Sequence, residues 1–393
     1  MRLTPPGELR RRIEKLQSLL RKNGVDGAVI VQNADLFYFA GTVQQSHLYI
    51  PAEGKPVLMV RKSLARAVEE SALEEVVPLT NIKYLPEILE SYGHGDAGTL
   101  GFELDVLPAS QFLRYRKLLD GYNLADISSL VREARMVKSR YEIDKMKEAA
   151  RINSIVFSQV KNLLREGMTE LELAGKIEEI YRREGHQCFI RMRGFNREMA
   201  YGHLMSGANL AVPSFFDGPT GGMGANPSFP QGAGHKRIGR NEPVMVDYVS
   251  VYDGYMVDQT RMFCIGQLSP GLKRAHHTAL MIQEEIKAMA RPGVLCEDLY
   301  DRALDIAGRA GLGENFMGLV DRAPFVGHGV GIELDEMPVL ARGRRIPLET
   351  GMTLAIEPKF VFDEGAVGIE NTFVVGEGGL ENLTEFEEDI ICV

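Results

Sequence analysis

No run of apolar residues in the 393-residue chain approaches the roughly 18 needed to cross a bilayer, so no transmembrane helix is expected. The amino-terminal segment, Met1-Arg2-Leu3 through Arg12, lacks the uninterrupted apolar core of a signal peptide. It leads instead into an amphipathic helix with Leu9, Ile13, Leu16 and Leu20 on one face. Cysteine is scarce. Cys188, Cys264, Cys296 and Cys392 are scattered without the paired spacing of a thiolate metal site or a disulfide framework. Reduced thiols and a cytoplasmic location are the simplest expectation. Excess positive charge is also missing: the net charge is −9, which argues against nucleic acid as the main partner. No glycine-rich stretch ends in Gly-Lys-Ser/Thr, so a phosphate-binding loop is not supported. What remains, 45% hydrophobic and 25% charged, is the profile of a soluble globular protein long enough for two domains.

The first part alternates helix and strand signals. A helix runs to about Arg21 and is stopped by Asn23-Gly24. Strands are expected at Ala28–Val31 and near Leu48–Ile50, Val57–Val60 and Leu100–Glu103, with helical stretches near residues 63–75 and 108–119. This is an α/β domain over residues 1–135. A long helix then follows Ser139 as N-cap, with Ile143, Met146, Ala150 and Ile152 as its buried stripe. From there the chain repeats itself at an offset of 126 residues. Gly167 matches Gly293, Glu172 matches Asp298, Ile180 matches Ile306 and Gly185 matches Gly311. Each copy reads as long helix, glycine stop, second helix, glycine stop, then strands.

The strands of the two copies carry the chemistry. In Asp247–Asp258, alternating Val, Tyr and Met residues flank Asp253-Gly254, a two-residue hairpin signal. That turn sets Val249 opposite Asp258 and Asp247 opposite Thr260, with Asp247 and Asp258 on one face. Two inward acids are costly unless a cation or protons neutralise them. In the second copy, Thr353–Pro358 and Val367–Val375 flank the turn cluster Asp363-Glu364-Gly365. Reversal there puts Glu357 directly opposite Glu370, a repulsive pairing unless a metal lies between them. Pro358 cannot donate a ladder bond, so an edge or a bulge is expected at that point. Between the pairs stands Gly327-His328-Gly329. Four carboxylates and one imidazole suit Mn²⁺, Fe²⁺, Co²⁺ or Zn²⁺, and two ions sharing bridging carboxylates would use them all.

With Asp258-Gln259-Thr260-Arg261, Gly327-His328-Gly329, Ile356-Glu357-Pro358 and Ile369-Glu370-Asn371-Thr372, the chain resembles the pita-bread metallopeptidases. These include methionine aminopeptidase, Xaa-Pro aminopeptidase, prolidase and the metal-free relative creatinase. The short separation of Glu357 from Glu370 favours the prolidase branch. The resemblance implies a smaller creatinase-type α/β amino-terminal domain before an α+β pita-bread domain over residues 136–393 with an internal pseudo-twofold. It implies that Asp247 chelates one of two metal ions, manganese first among the choices, and that His328 and Glu357 bind the other. Asp258 and Glu370 would bridge, and a hydroxide would be the nucleophile. By the same analogy the chain forms a homodimer. Glu357 can also hold a proton, which makes it the candidate shuttle from water to the leaving nitrogen.

Three positions depart from the family pattern. Ser214 and Asp335 stand where histidines are usual, and Gly368 stands where an arginine is usual. These groups help bind substrate. Ser214 and Asp335, with the spare histidines His203 and His235, are therefore the candidate substrate-binding residues. The Gly- and Pro-rich stretch 218–243 precedes Asp247 and is read either as a cover for the metal cleft or as a surface insertion. The expected function is metal-dependent hydrolysis of an amide C–N bond at the amino end of a short Xaa-Pro peptide. The alternatives are a pita-bread hydrolase of a non-peptide amide or amidino compound, and a non-catalytic peptide-binding module.

Overall fold

The computed structural model describes residues 3–93, 95 and 98–393; Met1 and Arg2, which head the segment read above, lie outside it. The chain divides into two compact units. One is Met1–Arg135 with Arg193–Asn196, and the other is Met136–Met192 with Arg197–Val393.

The first unit holds a six-stranded mixed sheet. Its order is Glu75–Pro78, Val57–Val60, Ser46–Pro51, Gly27–Ile30, Thr99–Phe102, Asn123–Asp126. The helix Pro6–Lys22 buries Leu9, Ile13, Leu16 and Leu20, the face its periodicity marks. The expected helix over 63–75 ends at Glu70, and the chain then turns into the strand Glu75–Pro78. That strand is at the sheet edge and half-exposed, so it lacks a strong apolar pattern. Arg193 belongs to this unit because its guanidinium pairs with Asp35 and Asp105, at 2.7 and 2.6 Å.

The second unit is built twice. The helices Arg140–Leu163 and Glu170–Arg183 are followed by the helices Pro270–Met289 and Cys296–Arg309. Leu163 and Met289, Glu170 and Cys296, and Arg183 and Arg309 each fall at the offset of 126. Gly167 and Gly293 both take positive φ, +82° and +92°, where the chain leaves the first helix of each copy. Ser139 with Glu142 and Thr169 with Glu172 close capping boxes. In the long first helix, Met146, Ala150 and Ile152 are buried, whereas Ile143 is only half-buried and the stripe continues through Asn153 and Val156.

Each helix pair covers its own sheet. The first packs Val156, Phe157, Leu173 and Ile177 against Leu204, Val244, Val246 and Tyr248. That sheet is ordered Ile391–Cys392, Tyr255–Cys264, Val244–Tyr252, Gly202–Ser206. The second helix pair packs Ile282, Ile286, Leu299 and Ala303 against the strands that follow it. Its sheet is ordered Glu336–Ala341, Phe325–Gly329, Thr353–Ile356, Asn371–Gly376, Gly379–Asn382, with Lys359–Phe362 and Gly365–Gly368 as a separate two-stranded ribbon. A bridge between Thr260 and Glu370 joins the two halves.

Candidate metal centre

Asp253 and Gly254 take φ of +48° and +87°, the two positive values that a type I′ turn requires. The hairpin they close pairs Tyr252 with Tyr255, Val249 with Asp258 and Asp247 with Thr260, the register the sequence predicts. Lys145 holds the tip through an ion pair to Asp253 at 2.8 Å. Asp247 and Asp258 therefore share a face, and His203, cross-strand partner of Asp247, lies on that face as well.

The second pair is set by a register that persists across a break. Ile356 pairs with Asn371 in one sheet, and Lys359 pairs with Gly368 in the ribbon. Glu357 and Glu370 face one another in the gap, where Pro358 has no N–H to donate. Their backbones turn elsewhere. The Glu357 N–H donates to Val326 O at 3.0 Å, next to the strand pairs of His328. The Glu370 N–H donates to Thr260 O at 3.4 Å, and the Thr260 N–H returns to Glu370 O at 3.3 Å. The break thus brings all five expected side chains to one buried place.

His328 is locked by its glycines. A Cβ at Gly327 would lie 2.5 Å from Ala355 O, and one at Gly329 would lie 2.3 Å from Met337 O. The His328 Nδ1–H donates to Gly329 O at 3.0 Å, which leaves Nε2 as the free lone pair. Nε2 is 3.8 Å from Glu357 Oε1 and 4.0 Å from Glu370 Oε1.

A sixth polar group at this place is one the sequence reading passed over. Lys359, 1% exposed, puts its ammonium 2.8 Å from Glu357 Oε2, 2.8 Å from Glu370 Oε2 and 3.5 Å from Asp247 Oδ2. The signal was present, because positions 357 and 359 share a face by strand alternation. Thr260 Oγ1 also donates to Glu370 Oε2, at 2.9 Å. Glu370 Oε1 and Asp258 Oδ1 are buried and accept no hydrogen bond among the described residues. One donor atom each from Asp258, His328 and Glu370 lies within 4.8 Å of the others. Ligands about 2 Å from one divalent cation lie no more than about 4 Å apart, so the three side chains would draw slightly together to hold one. The ammonium engages one oxygen each of Asp247, Glu357 and Glu370 and leaves Glu357 Oε1 turned toward His328.

The electrostatics reflect four carboxylates in a buried space. Burial, with the charges of Glu370 and Asp247, lifts Asp258 well above the carboxylate range. Burial also pushes Asp247 up to about 7, with Lys359 opposing. Glu357 is raised by burial, which outweighs Lys359. Burial favours neutral Glu370 too, but Lys359 and His328 win and hold it low. His328 is raised, because Asp335 and the two glutamates overcome its burial. Lys359 is raised well above the ordinary lysine value, because Glu357, Glu370 and Asp247 overcome its burial. Ionising all four acids beside a neutral imidazole would leave three negative charges against the one ammonium, so the buried acids favour protons until a further cation replaces them.

The cavity over this cluster is also lined by Tyr201, His203, Phe216, Thr220, Phe325 and Asp335. Of the four substrate-binding candidates, His203 and Asp335 line it. The His203 Nε2–H donates to Thr220 O at 3.1 Å, and burial, then the Lys359 charge, holds its pKa down at about 4. Asp335 Oδ1 is 3.6 Å from His328 Nδ1. Ser214 and His235 lie elsewhere: both line a second hollow formed by the Gly-Pro loop, where the Ser214 hydroxyl donates to Pro230 O at 2.5 Å. That loop is tied down at Gly222, Gly224 and Gly232 by backbone bonds, and only its first residues, Gly218–Thr220, reach the metal-site cavity.

Residues 144–377 match the family model of metallopeptidase family M24, and residues 12–137 match that of the creatinase/prolidase N-terminal domain. The M24 match spans more than half of the chain, and the chain belongs to that family of metal-dependent peptidases. The Xaa-Pro dipeptidase of Pyrococcus furiosus is 26% identical over 98% of this chain and 100% of its own length. The crystal structure of X-Pro aminopeptidase from Thermotoga maritima superposes with a TM-score of 0.80 at 26% identity, covering 97% of this chain and 99% of that one. A dipeptidase structure from Pyrococcus horikoshii gives 0.79 at 29% identity, covering 97% and 100%.

Proposed function

We propose that this protein hydrolyses an amide C–N bond at the amino end of a short peptide, with Xaa-Pro dipeptides as the first substrates to try. The observation that carries the reading is the buried meeting of Asp258, His328, Glu357 and Glu370 at the base of one cavity. Relatives named as Xaa-Pro dipeptidases over nearly the full chain support it. Asp258, His328 and Glu370 would hold a divalent ion, Mn²⁺ first and Co²⁺, Fe²⁺ or Zn²⁺ after it. The ion supplies Lewis acidity: it polarises the scissile carbonyl and makes water more acidic.

The chain's own groups do the rest. Glu357 Oε1 points toward His328 and is the oxygen placed to take a proton from water and pass it to the leaving nitrogen. Its other oxygen is held by Lys359, which fixes the carboxylate's orientation. His203, neutral at working pH, and Asp335 flank the entrance, where a substrate amine or carbonyl would lie. Phe216 and Phe325 offer apolar walls. The protein would act in the cytoplasm as a homodimer.

The test is Glu357→Ala with Mn²⁺ and an Xaa-Pro dipeptide. Hydrolysis should vanish while circular dichroism and the thermal transition stay native, and full activity in the variant refutes the assignment. A second reading, hydrolysis of a non-peptide amide or amidino compound, is favoured by Gly368. The usual arginine is missing there, and Ser214, which holds the slot of a usual histidine, does not line the cavity. Screening both substrate classes separates the two. A non-catalytic binding module ranks last, because all five metal-site residues are retained.

A further inference from the structure

We propose that Lys359 stands in for one of the two metal ions, so that the centre works with a single divalent cation held by Asp258, His328 and Glu370. This rests on the functional reading above and sharpens it.

The geometry separates two halves of the site. On one side the Lys359 Nζ lies 2.8 Å from both glutamates and 3.5 Å from Asp247. An ammonium has three hydrogens and no lone pair, so it can satisfy three such oxygens and cannot itself ligate a metal. A divalent ion bound to the same oxygens at about 2 Å would sit close to a positive charge in a buried space. On the other side Asp258 Oδ1 and Glu370 Oε1 accept nothing among the described residues, and His328 Nε2 faces them. That side holds the buried carboxylate oxygens of the cluster that lack a partner among the described residues.

The position of the lysine is built in rather than incidental. Its cross-strand partner is Gly368. A Cβ there would lie 2.6 Å from Lys359 Cγ and 2.5 Å from Pro358 O. The lysine stem therefore runs through space that any side chain at 368 would fill. The chain lacks the cation usual in its family at 368 and carries one at 359, directly across the ribbon. Charge follows the same logic. One ammonium and one divalent ion supply three positive charges to four carboxylates, whereas two divalent ions beside the ammonium would supply five.

The experiment counts ions on the full-length protein by native mass spectrometry and by titration calorimetry with MnCl₂. One Mn²⁺ per wild-type chain is expected at saturation. Lys359→Ala opens the oxygens on the Asp247 side and should bind two, with a larger thermal stabilisation by MnCl₂ than wild type shows. Lys359→Met keeps the packed stem and covers failure of the alanine variant to fold; there the ammonium is lost and the MnCl₂ stabilisation should again exceed wild type. Two ions in the wild type, none in the wild type, or an unchanged count and stabilisation in both variants would overturn the proposal. Two ions with intact hydrolysis would sink the substitution and spare the functional reading. One ion with no hydrolysis of any substrate would do the reverse.

Discussion

Replacing Lys359 by methionine in the metal-free protein offers a direct measure of how far the ammonium holds the site together. The side chain is 1% exposed and touches three carboxylates within 3.5 Å. Removing one member of a buried ion pair costs about 3–5 kcal/mol, because the partners stay behind uncompensated. At about 2–4 °C per kcal/mol, the transition of the unit bearing the site should drop by roughly 6–20 °C in EDTA at pH 8. The sign of the pH dependence follows from linkage. Lys359 has its pKa raised on folding, so its own contribution is fully present below the ordinary lysine value and is constant between pH 5 and 8. Asp247 and Glu357 are raised as well, so the stability they allow is greatest in acid and is lost as pH climbs through their folded values, about 7 for Asp247. Without the ammonium those values rise further, and the folded variant takes up a proton that the wild type does not. The deficit should therefore shrink by about 1.4 kcal/mol per pH unit per extra proton, roughly 2–3 kcal/mol between pH 8 and 6. Urea unfolding at both pH values in EDTA measures this. A loss under about 1 kcal/mol at pH 8, or an equal loss at both pH values, would refute the reasoning.

Two further outcomes can be checked alongside it. Thr260→Val preserves shape but removes the hydroxyl that donates to Glu370 Oε2 at 2.9 Å. Mn²⁺ affinity measured by calorimetry should weaken about 10–100-fold, the usual cost of losing a group that orients a metal ligand, and an affinity within threefold of wild type would contradict it. Lys138→Met breaks a buried pair with Glu336 at 2.9 Å; the other Glu336 oxygen holds the backbone N–H groups of Ile332 and Glu333, just before Asp335. Urea unfolding should show about 3–5 kcal/mol lost, and a change under 1 kcal/mol would count against that role for the pair.

The parts of the site legible in the sequence are those governed by short-range rules. Asp253-Gly254 fixed the first hairpin because this dipeptide readily takes the two positive φ values of a type I′ turn, whose twist matches the flanking strands. The second register was readable because the same alternation runs through both sides of Pro358. The repeat was readable because its glycine stops recur at one offset. Placement that depends on loop turns was not. Ser214 was expected at the site from its place along the sequence, yet the turns at Gly222, Gly224 and Gly232, all at positive φ, tie its loop around a different hollow. In the first unit the edge strands Glu75–Pro78 and Asn123–Asp126 are four residues each and half-exposed, so neither carried an apolar alternation long enough to announce itself.

Lys359 escaped for another reason. A search for metal ligands counts acids and imidazoles and passes over a cation, although alternation places positions 357 and 359 on one face. What turns that face inward is the break at Pro358. Two glutamates directly opposed in an unbroken ladder would repel. Here the ladder opens, and their backbones bond instead to Val326 and Thr260 on neighbouring strands. The same opening draws the strand of His328 and the hairpin of Asp258 onto the pair. The joint between the two halves of the repeat is therefore also the place where negative charge accumulates. A cation at that joint has a structural task, holding the halves together, as well as a chemical one. A covalently tethered ammonium performs the first task whether or not metal is present and leaves the second to an ion among Asp258, His328 and Glu370.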